Sequence, residues 1–424
     1  MSTSKVNYRA LEQKAYEKRT MVVEAIATDS ISLEHFVPER ILPFLHEVNS
    51  FISIKDSEVE EASSAYENLA ELLVKNLNWP RENIKIHPQG SAISRTLIRS
   101  PYSNDRFDID AICEIDHPDA YKDGALKFFT DIGQSLEDED FDIDKKKRCW
   151  RVLWRGKSYY IDLTPAVKSN LISIDASNVK YFPQSSQYSE DAVWVVNEPT
   201  GEWYSSNPRG FSKWVLDRNI DSSHLVYQMA FESLDEVTRA SAEPVPEQDI
   251  GMDENLLLAI RLFKRHRDMQ VYNNKVSNEF KPISVIIVTL LGQCVNAMRA
   301  NGRHFSSIVE LLEVLAATIP ELVDYHDGQP VVPNPTAPDE NFADRWLEDS
   351  KKRMLSFYSW VASLQADLRR LSVANDDDSR QTVIKEIFGC SGMASSPSPG
   401  NGGNPLASGV PGTPSRAVPD RGLA

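Results

Sequence analysis

Cysteine is scarce in this chain. Only Cys113, Cys149, Cys294 and Cys390 occur in 424 residues, and no two share a C-x-x-C spacing. That excludes the common zinc and dithiol redox motifs and predicts a reduced, cytoplasmic protein. Long apolar runs are missing too. The longest, around Ile283–Leu291, falls far short of the roughly 20 residues that cross a bilayer, so it predicts a buried helix and no membrane partner. The first twenty residues carry charges throughout and no apolar stretch, against the expectation for a signal peptide. The chain also lacks a basic excess: 46 Lys and Arg stand against 62 Asp and Glu, a formal charge of -16. Gripping a nucleic-acid duplex depends on phosphate contacts, so no duplex partner is expected. Small anionic ligands clamped by a few Lys or Arg remain compatible with that charge.

What is present suits a soluble chain of two domains, with 41% apolar and 25% charged residues. Val59, Ala62, Tyr66, Leu69, Leu73 and Leu77 recur at helical spacing over Ser57–Leu77, and Asn78-Trp79-Pro80 ends the run. "NIKIHPQGS" alternates like a strand up to Gly90-Ser91, and "SAISRTLIRS" predicts a short helix from Ser91. "CWRVLWRGKSYYIDLTPAV" predicts two strands around a tight turn. After about Val215 the periodicity turns helical, in "ENLLLAIRLFKRHRDM", "ISVIIVTLLGQCVNAMRA", "SSIVELLEVLAATI" and "RWLEDSKKRMLSFYSWVASLQADLRRL". From Ser391 to Ala424 there is no aromatic residue, and Gly plus Pro make up 13 of 34 positions, a composition expected to stay disordered. The expected fold is α+β. Residues 1–50 form an N-terminal helical extension, 51–215 a mixed α/β core, 216–390 a helical lobe and 391–424 a tail.

One tetrapeptide, Phe-Asp-Ile-Asp, occurs twice, at Phe107–Asp110 and at Phe141–Asp144. Two aspartates one residue apart on a strand point the same way, an arrangement that holds divalent cations. In the first copy the alternation continues, so Phe107, Ile109, Ala111, Cys113 and Ile115 take one face and Asp108 and Asp110 the other. Gly90-Ser91 precedes it at a strand-to-helix junction, where a glycine lets phosphate approach and the following amides attract anions. The second copy lies between "SLEDED" and "KKKR" without such a junction, and predicts a solvated loop. A third carboxylate, Asp162, sits between Ile161 and Leu163 in an apolar strand, where it is costly unless paired or bound to metal. Asp108, Asp110 and Asp162 with Gly90-Ser91 predict nucleotidyl transfer. Mg²⁺, or Mn²⁺ in its place, would activate a sugar hydroxyl and stabilise pyrophosphate, with Asp162 helping to take the hydroxyl proton.

"QGSAISRTLIRSPYSNDRFDIDAICEI" together with "YYIDLTPAV" resembles the nucleotidyltransferase core of the DNA polymerase β superfamily. The likeness is greatest to the CD-NTases, bacterial relatives of cyclic GMP-AMP synthase found in the CBASS anti-phage systems. "WYSSNPRGFSKW", "RLFKRHRD", "FKPISVIIVTLL" and "PNPTAPDENFADRW" extend the resemblance over roughly residues 50–390. It implies a bilobed enzyme that joins nucleoside triphosphates, ATP among them, into a cyclic di- or trinucleotide second messenger. Within it Lys264 and Ser284 would bind the triphosphate and Thr96 would support the phosphate loop. Tyr181, Phe182, Asn207 and Arg209 are candidates for contacting bases, and His266 is expected to be structural. The resemblance also implies that an E1/E2-like partner could conjugate the chain through Ala424. Two alternatives stand beside the cyclase: a linear RNA-end or oligoadenylate-type transferase, and a catalytically inactive nucleotide-binding module. The zinc-bearing insertion by which animal cyclic GMP-AMP synthase engages DNA has no counterpart in this sequence.

Overall fold

The computed structural model describes residues 41–102, 106–169, 171, 188–226 and 243–390. Most of the N-terminal extension, Tyr181, Phe182 and the tail with Ala424 lie outside them. The chain begins with α1 (Leu42–Ile52) and α2 (Asp56–Leu77). The backbone N–H of Lys55 donates to Glu58 at the start of α2, and Asn78 closes its end in the left-handed region, at φ 54°, ahead of Pro80. One face of α2, with Ala62, Tyr66, Leu69 and Leu73, is buried against the sheet that follows.

That sheet has seven strands: β1 (Ile84–Pro88), β2 (Phe107–Ile115), β3 (Phe141–Lys145), β4 (Trp150–Trp154), β5 (Tyr159–Lys168), β6 (Val193–Asn197) and β7 (Glu202–Ser206). The order is β1-β2-β5-β4-β3, while the far end of β5 also pairs with β6, which pairs with β7. Every pairing is antiparallel except β2 with β5. The odd-numbered apolar row of β2 packs under α2 and α3 (Ala125–Gln134), whose Phe128, Phe129 and Ile132 are fully buried. The period-2 pattern therefore places one face of β2 in a core and leaves the other for chemistry.

Two expectations are corrected. The second Phe-Asp-Ile-Asp lies on β3, an edge strand, and not in a loop, because β4 supplies it with a full antiparallel partner. Its carboxylates are solvated as expected. The helix predicted from Ser91 is a single turn, Gly90–Ile93. The Ser94 hydroxyl donates to Gly90 O, Arg95 turns left-handed at φ 57°, and the chain leaves the helix there.

A second core joins α4 (Pro208–Ser223), α5 (Asn255–Tyr272), α6 (Ser284–Ala300), α7 (Ile308–Thr318), α8 (Lys352–Val373) and α9 (Asp377–Phe388). Helix α1 contributes Phe44, Leu45, Val48 and Ile52 to this core and not to the sheet. Two small hairpins, Asp324–His326 with Gln329–Val331 and Pro333–Asn334 with Ala337–Asn341, interrupt the helices, a feature that helical periodicity did not signal. No helix among the described residues is long and apolar enough to cross a membrane.

Candidate active site

The parallel pairing of β2 and β5 sets Asp110 directly opposite Asp162, and Asp108 lies two residues back on the same face. Ligand oxygens of the three carboxylates all come within 4.8 Å of one another. Asp162 is buried, while Asp108 and Asp110 are partly exposed. On the neighbouring strand, Arg151 stands opposite Asp162 and donates to both its oxygens, Nε to Oδ1 and Nη2 to Oδ2, each at 2.8 Å. The guanidinium also lies over the Tyr160 ring, 3.9 Å from its centre. Arg151 thus fixes the orientation of the third carboxylate through a bidentate pair, which holds a plane as well as a distance.

Three carboxylates this close disfavour one another's charge. Burial first, then Asp110 and Asp162, push Asp108 well above the ordinary carboxylate range. Burial and Asp162 raise Asp110 to about 7. Arg151 and Lys264 oppose both shifts without cancelling them. Asp108 Oδ1 is also buried without a hydrogen-bond partner among the described residues. Crowded, partly orphaned carboxylates are what a divalent cation neutralises, and hard cations take oxygen ligands. Asp108, Asp110 and Asp162 therefore fit a divalent metal.

The glycine of the Gly-Ser pair has a specific task. Gly90 has φ +57°, and a Cβ at that position would meet Asp110 Oδ2 at 2.7 Å. No other residue lets the turn close over the carboxylate. Gln89 N–H donates to Asp110 O at 3.0 Å, binding the turn to β2, and Thr96 N–H donates to Ser91 O at 2.9 Å within the turn. The Tyr66 hydroxyl of α2 donates to Asp110 O at 3.3 Å.

Lys264 reaches this turn from α5. It is buried, and its Nζ donates to Thr96 O at 2.7 Å. Burial, then Arg267, lowers its ammonium to about 7. Arg265 and Arg267 are buried as well, so the "KRHR" run is an internal basic cluster and not a solvated face. Ser284 heads α6, and its hydroxyl accepts from Arg267 at 2.9 Å, so it joins the basic cluster through Arg267.

Other candidates fall elsewhere. Asn207 caps α4, accepting from Gly210 N–H and donating to Tyr188 O, and is buried in that task. Arg209 pairs with Glu243 at 2.9 Å. His266 is structural: Trp360 Nε1–H donates to its Nδ1, so Nε2 carries the hydrogen shared with Asp367 at 3.1 Å. Arg151 was missed from the sequence. Its signal was available, since a lone cation between Trp150 and Val152 in one strand complements a lone anion between Ile161 and Leu163 in the next.

Residues 84–165 match the family described as "Cyclic GMP-AMP synthase DncV-like, nucleotidyltransferase domain". The matched span holds Gly90, Ser91, all three carboxylates and Arg151. The chain is 24% identical over 308 residues to a c-di-GMP synthase of Roseivirga ehrenbergii, covering 72% of each protein. It is 25% identical over 268 residues to the cyclic dinucleotide synthase CdnG of Bradyrhizobium diazoefficiens, covering 62% of this chain and 59% of that one. Among solved structures, the Bradyrhizobium diazoefficiens CD-NTase CdnG in complex with GTP superimposes with a TM-score of 0.57 at 20% identity, over 82% of this chain and 94% of that one. The E. coli MS115-1 CdnC:HORMA complex superimposes with a TM-score of 0.53 at 14% identity, over 86% and 100%. The fold is that of these proteins.

Proposed function

We propose, from the premise that the chain carries a DncV-like nucleotidyltransferase domain, that it joins nucleoside triphosphates into a cyclic di- or trinucleotide. The observation that carries this reading is the carboxylate triad on parallel strands with Gly90 closed over Asp110. Asp108, Asp110 and Asp162 would hold Mg²⁺, which when bound supplies charge neutralisation at the transferred phosphate. The chain's own part is positioning. Gly90 and Ser91 would leave room for the triphosphate at the turn, Lys264 reaches that turn from the helical core, and Arg267, bonded to Ser284, completes the basic cluster. An incoming phosphate would restore the charge that burial takes from Lys264. Arg151 keeps Asp162 in one orientation, so that its carboxylate is aimed before substrate arrives. With its proton-binding range raised to about 7, Asp110 would hold a divalent metal in its deprotonated form, so that metal affinity would rise with pH near neutrality.

The signalling role in anti-phage defence follows from the resemblance to CD-NTases, and conjugation at Ala424 is proposed on the same ground. The test of the activity is incubation of the purified chain with all four nucleoside triphosphates and Mg²⁺, without nucleic acid. Products are treated with phosphatase and identified by mass. A phosphatase-resistant product of two or three linked nucleotides, absent with EDTA, is expected. A linear ladder, or product only with added RNA, would replace the cyclase by a terminal transferase.

A further inference from the structure

The turn that closes over Asp110 is held from three directions. At its start Gln89 bonds to Asp110 of β2, and near its end Lys264 of α5 bonds to Thr96 O. The third hold comes from residues 243–251, "EPVPEQDIG", which form neither helix nor strand. This segment crosses from the sheet to the helical core. Glu243 N–H donates to Ile86 O of β1 at 2.9 Å, Val245 N–H donates to Ser63 Oγ of α2 at 2.9 Å, and Asn49 of α1 donates to Ile250 O at 3.4 Å. Pro244 and Pro246 fix φ at two places along it, which stiffens it.

Gln248, in the middle of this strap, is fully buried. A buried side-chain amide brings two donors and an acceptor that need partners, and here they go to the turn and to the strap itself. Nε2–H donates to Ala92 O at 2.9 Å, within the single helical turn that Gly90 opens, and to Pro246 O at 2.7 Å. Oε1 accepts from Leu97 N–H at 3.4 Å, after Thr96. One side chain thus spans both ends of the turn. Its own backbone is fixed as well. Gln248 O accepts from the buried Arg261 of α5 at 3.0 Å. On either side of it Arg95, which belongs to the turn, donates to Glu247 O at 3.2 Å and to Asp249 O. Of the three holds, Asp110 would also carry the metal and Lys264 would also meet phosphate. Gln248 is neutral and enclosed, so neither ligand competes for its bonds.

We propose that Gln248 is a positioning residue for the triphosphate: it sets the turn from Gly90 to Leu97 in place through backbone bonds and touches no substrate atom itself. The proposal rests on the reading of Gly90-Ser91 as the triphosphate site. It has a kinetic signature. Loosening the turn weakens a contact made to the bound triphosphate and raises KM, whereas a general loss of fold lowers the active fraction, and with it the apparent kcat, at unchanged KM.

The test uses the full chain in two variants. Gln248→Met keeps length and bulk without the amide, and Gln248→Asn keeps the amide one methylene short. The exposed Glu247→Gln serves as control and should behave as the parent. Calorimetric titration with a non-hydrolysable ATP analogue and Mg²⁺ should show both Gln248 variants weakened about tenfold. KM should rise to match, with kcat within about threefold of the parent. Mn²⁺ binding without nucleotide, followed by electron paramagnetic resonance, should stay within about twofold, because the carboxylates keep their own strands. In the parent, the Leu97 amide should exchange slowly with solvent deuterium, and more slowly still with the analogue bound. That reading does not depend on a variant folding. Binding and KM unchanged in a folded Gln248 variant, a loss confined to kcat, or rapid exchange at Leu97 in the parent would each overturn the proposal. Failure of the cyclase reading would show separately, as absence of cyclic product while analogue binding still responds to Gln248.

Discussion

The two copies of Phe-Asp-Ile-Asp are chemically identical and physically opposite. On β2 the tetrapeptide lies in an interior strand and is paired along its length with β5, so that its carboxylates face a third carboxylate across a parallel pair. On β3 it forms the edge of the same sheet, and its carboxylates are themselves exposed, pairing with Arg155 at 3.3 Å and Lys146 at 2.6 Å. The first pair is raised in pKa by crowding and burial. The second is surrounded by water that screens it. What makes an aspartate a metal ligand is the company the sheet gives it, and the local sequence has little say.

The largest effect expected from breaking this contrast is on turnover. Asp108→Asn with Asp110→Asn should lower it on the order of 1,000-fold or more, since the metal and its charge neutralisation go together. Asp142→Asn with Asp144→Asn should leave it within about threefold. Steady-state rates with Mg²⁺ decide the matter, and a dead second pair would relocate the site.

Next comes the guanidinium beside each copy. Arg151 and Asp162 are 5% and 6% exposed, whereas Arg155 and Asp142 are both 70% exposed. Removing one partner of a buried pair costs about 3–5 kcal/mol, and exposed pairs contribute little. Urea denaturation should therefore show Arg151→Met strongly destabilised and Arg155→Met indistinguishable from the parent.

The glycines sharpen the comparison further. Gly90→Ala forces a Cβ onto Asp110 Oδ2, and a misplacement of that scale should cost on the order of 100-fold in activity. Gly156, in the turn between β4 and β5 at φ +76°, would meet nothing within 4 Å. Its replacement by Ala should cost about 1 kcal/mol of stability from backbone strain alone, with activity retained.

The smallest effect concerns pH. The folded state holds protons on Asp108 and Asp110 that the unfolded chain releases near pH 4. The metal-free protein should therefore lose stability as pH rises from about 4 to about 7 through this pair. Bound Mg²⁺ should reverse the trend, stabilising more at pH 8 than at pH 6. Thermal melts with and without Mg²⁺ test this against the Asp108→Asn, Asp110→Asn variant, in which the difference should vanish. The Asp142→Asn, Asp144→Asn variant should keep it.

Period-2 alternation in "RFDIDAICEID" correctly predicted which face of β2 enters the core, and the isolated charge in "YYIDLTPAV" correctly predicted that Asp162 joins the pair. Both readings need only a strand's geometry and the cost of a buried charge. The position of β3 could not be read in the same way, because a charged five-residue strand is stabilised by its neighbour β4 and not by its own pattern. Nor could the shortness of the turn after Gly90, which depends on Arg95 and on bonds back to Gly90 and Ser91. The burial of Lys264, Arg265 and Arg267 was hidden for a related reason. Their carbonyl and hydroxyl partners, Thr96, Phe388, Arg99 and Ser284, are distant in sequence or have no pattern of their own. Asn207, a candidate for base contact, caps α4, a role that Asn followed by Pro-Arg-Gly at a helix start also signals.

The parallel register of Asp110 and Asp162 has a consequence for how the molecule is made. The two residues are 52 positions apart, and α3 and the β3–β4 hairpin must be threaded between them. Neighbouring antiparallel hairpins close short loops and form early, whereas a parallel pair closes a long one and forms slowly. The carboxylates thus meet only after the most entropically demanding step in the sheet. A nascent or partly folded chain holds no complete metal site, and Mg²⁺ should leave the folding rate nearly unchanged while slowing unfolding.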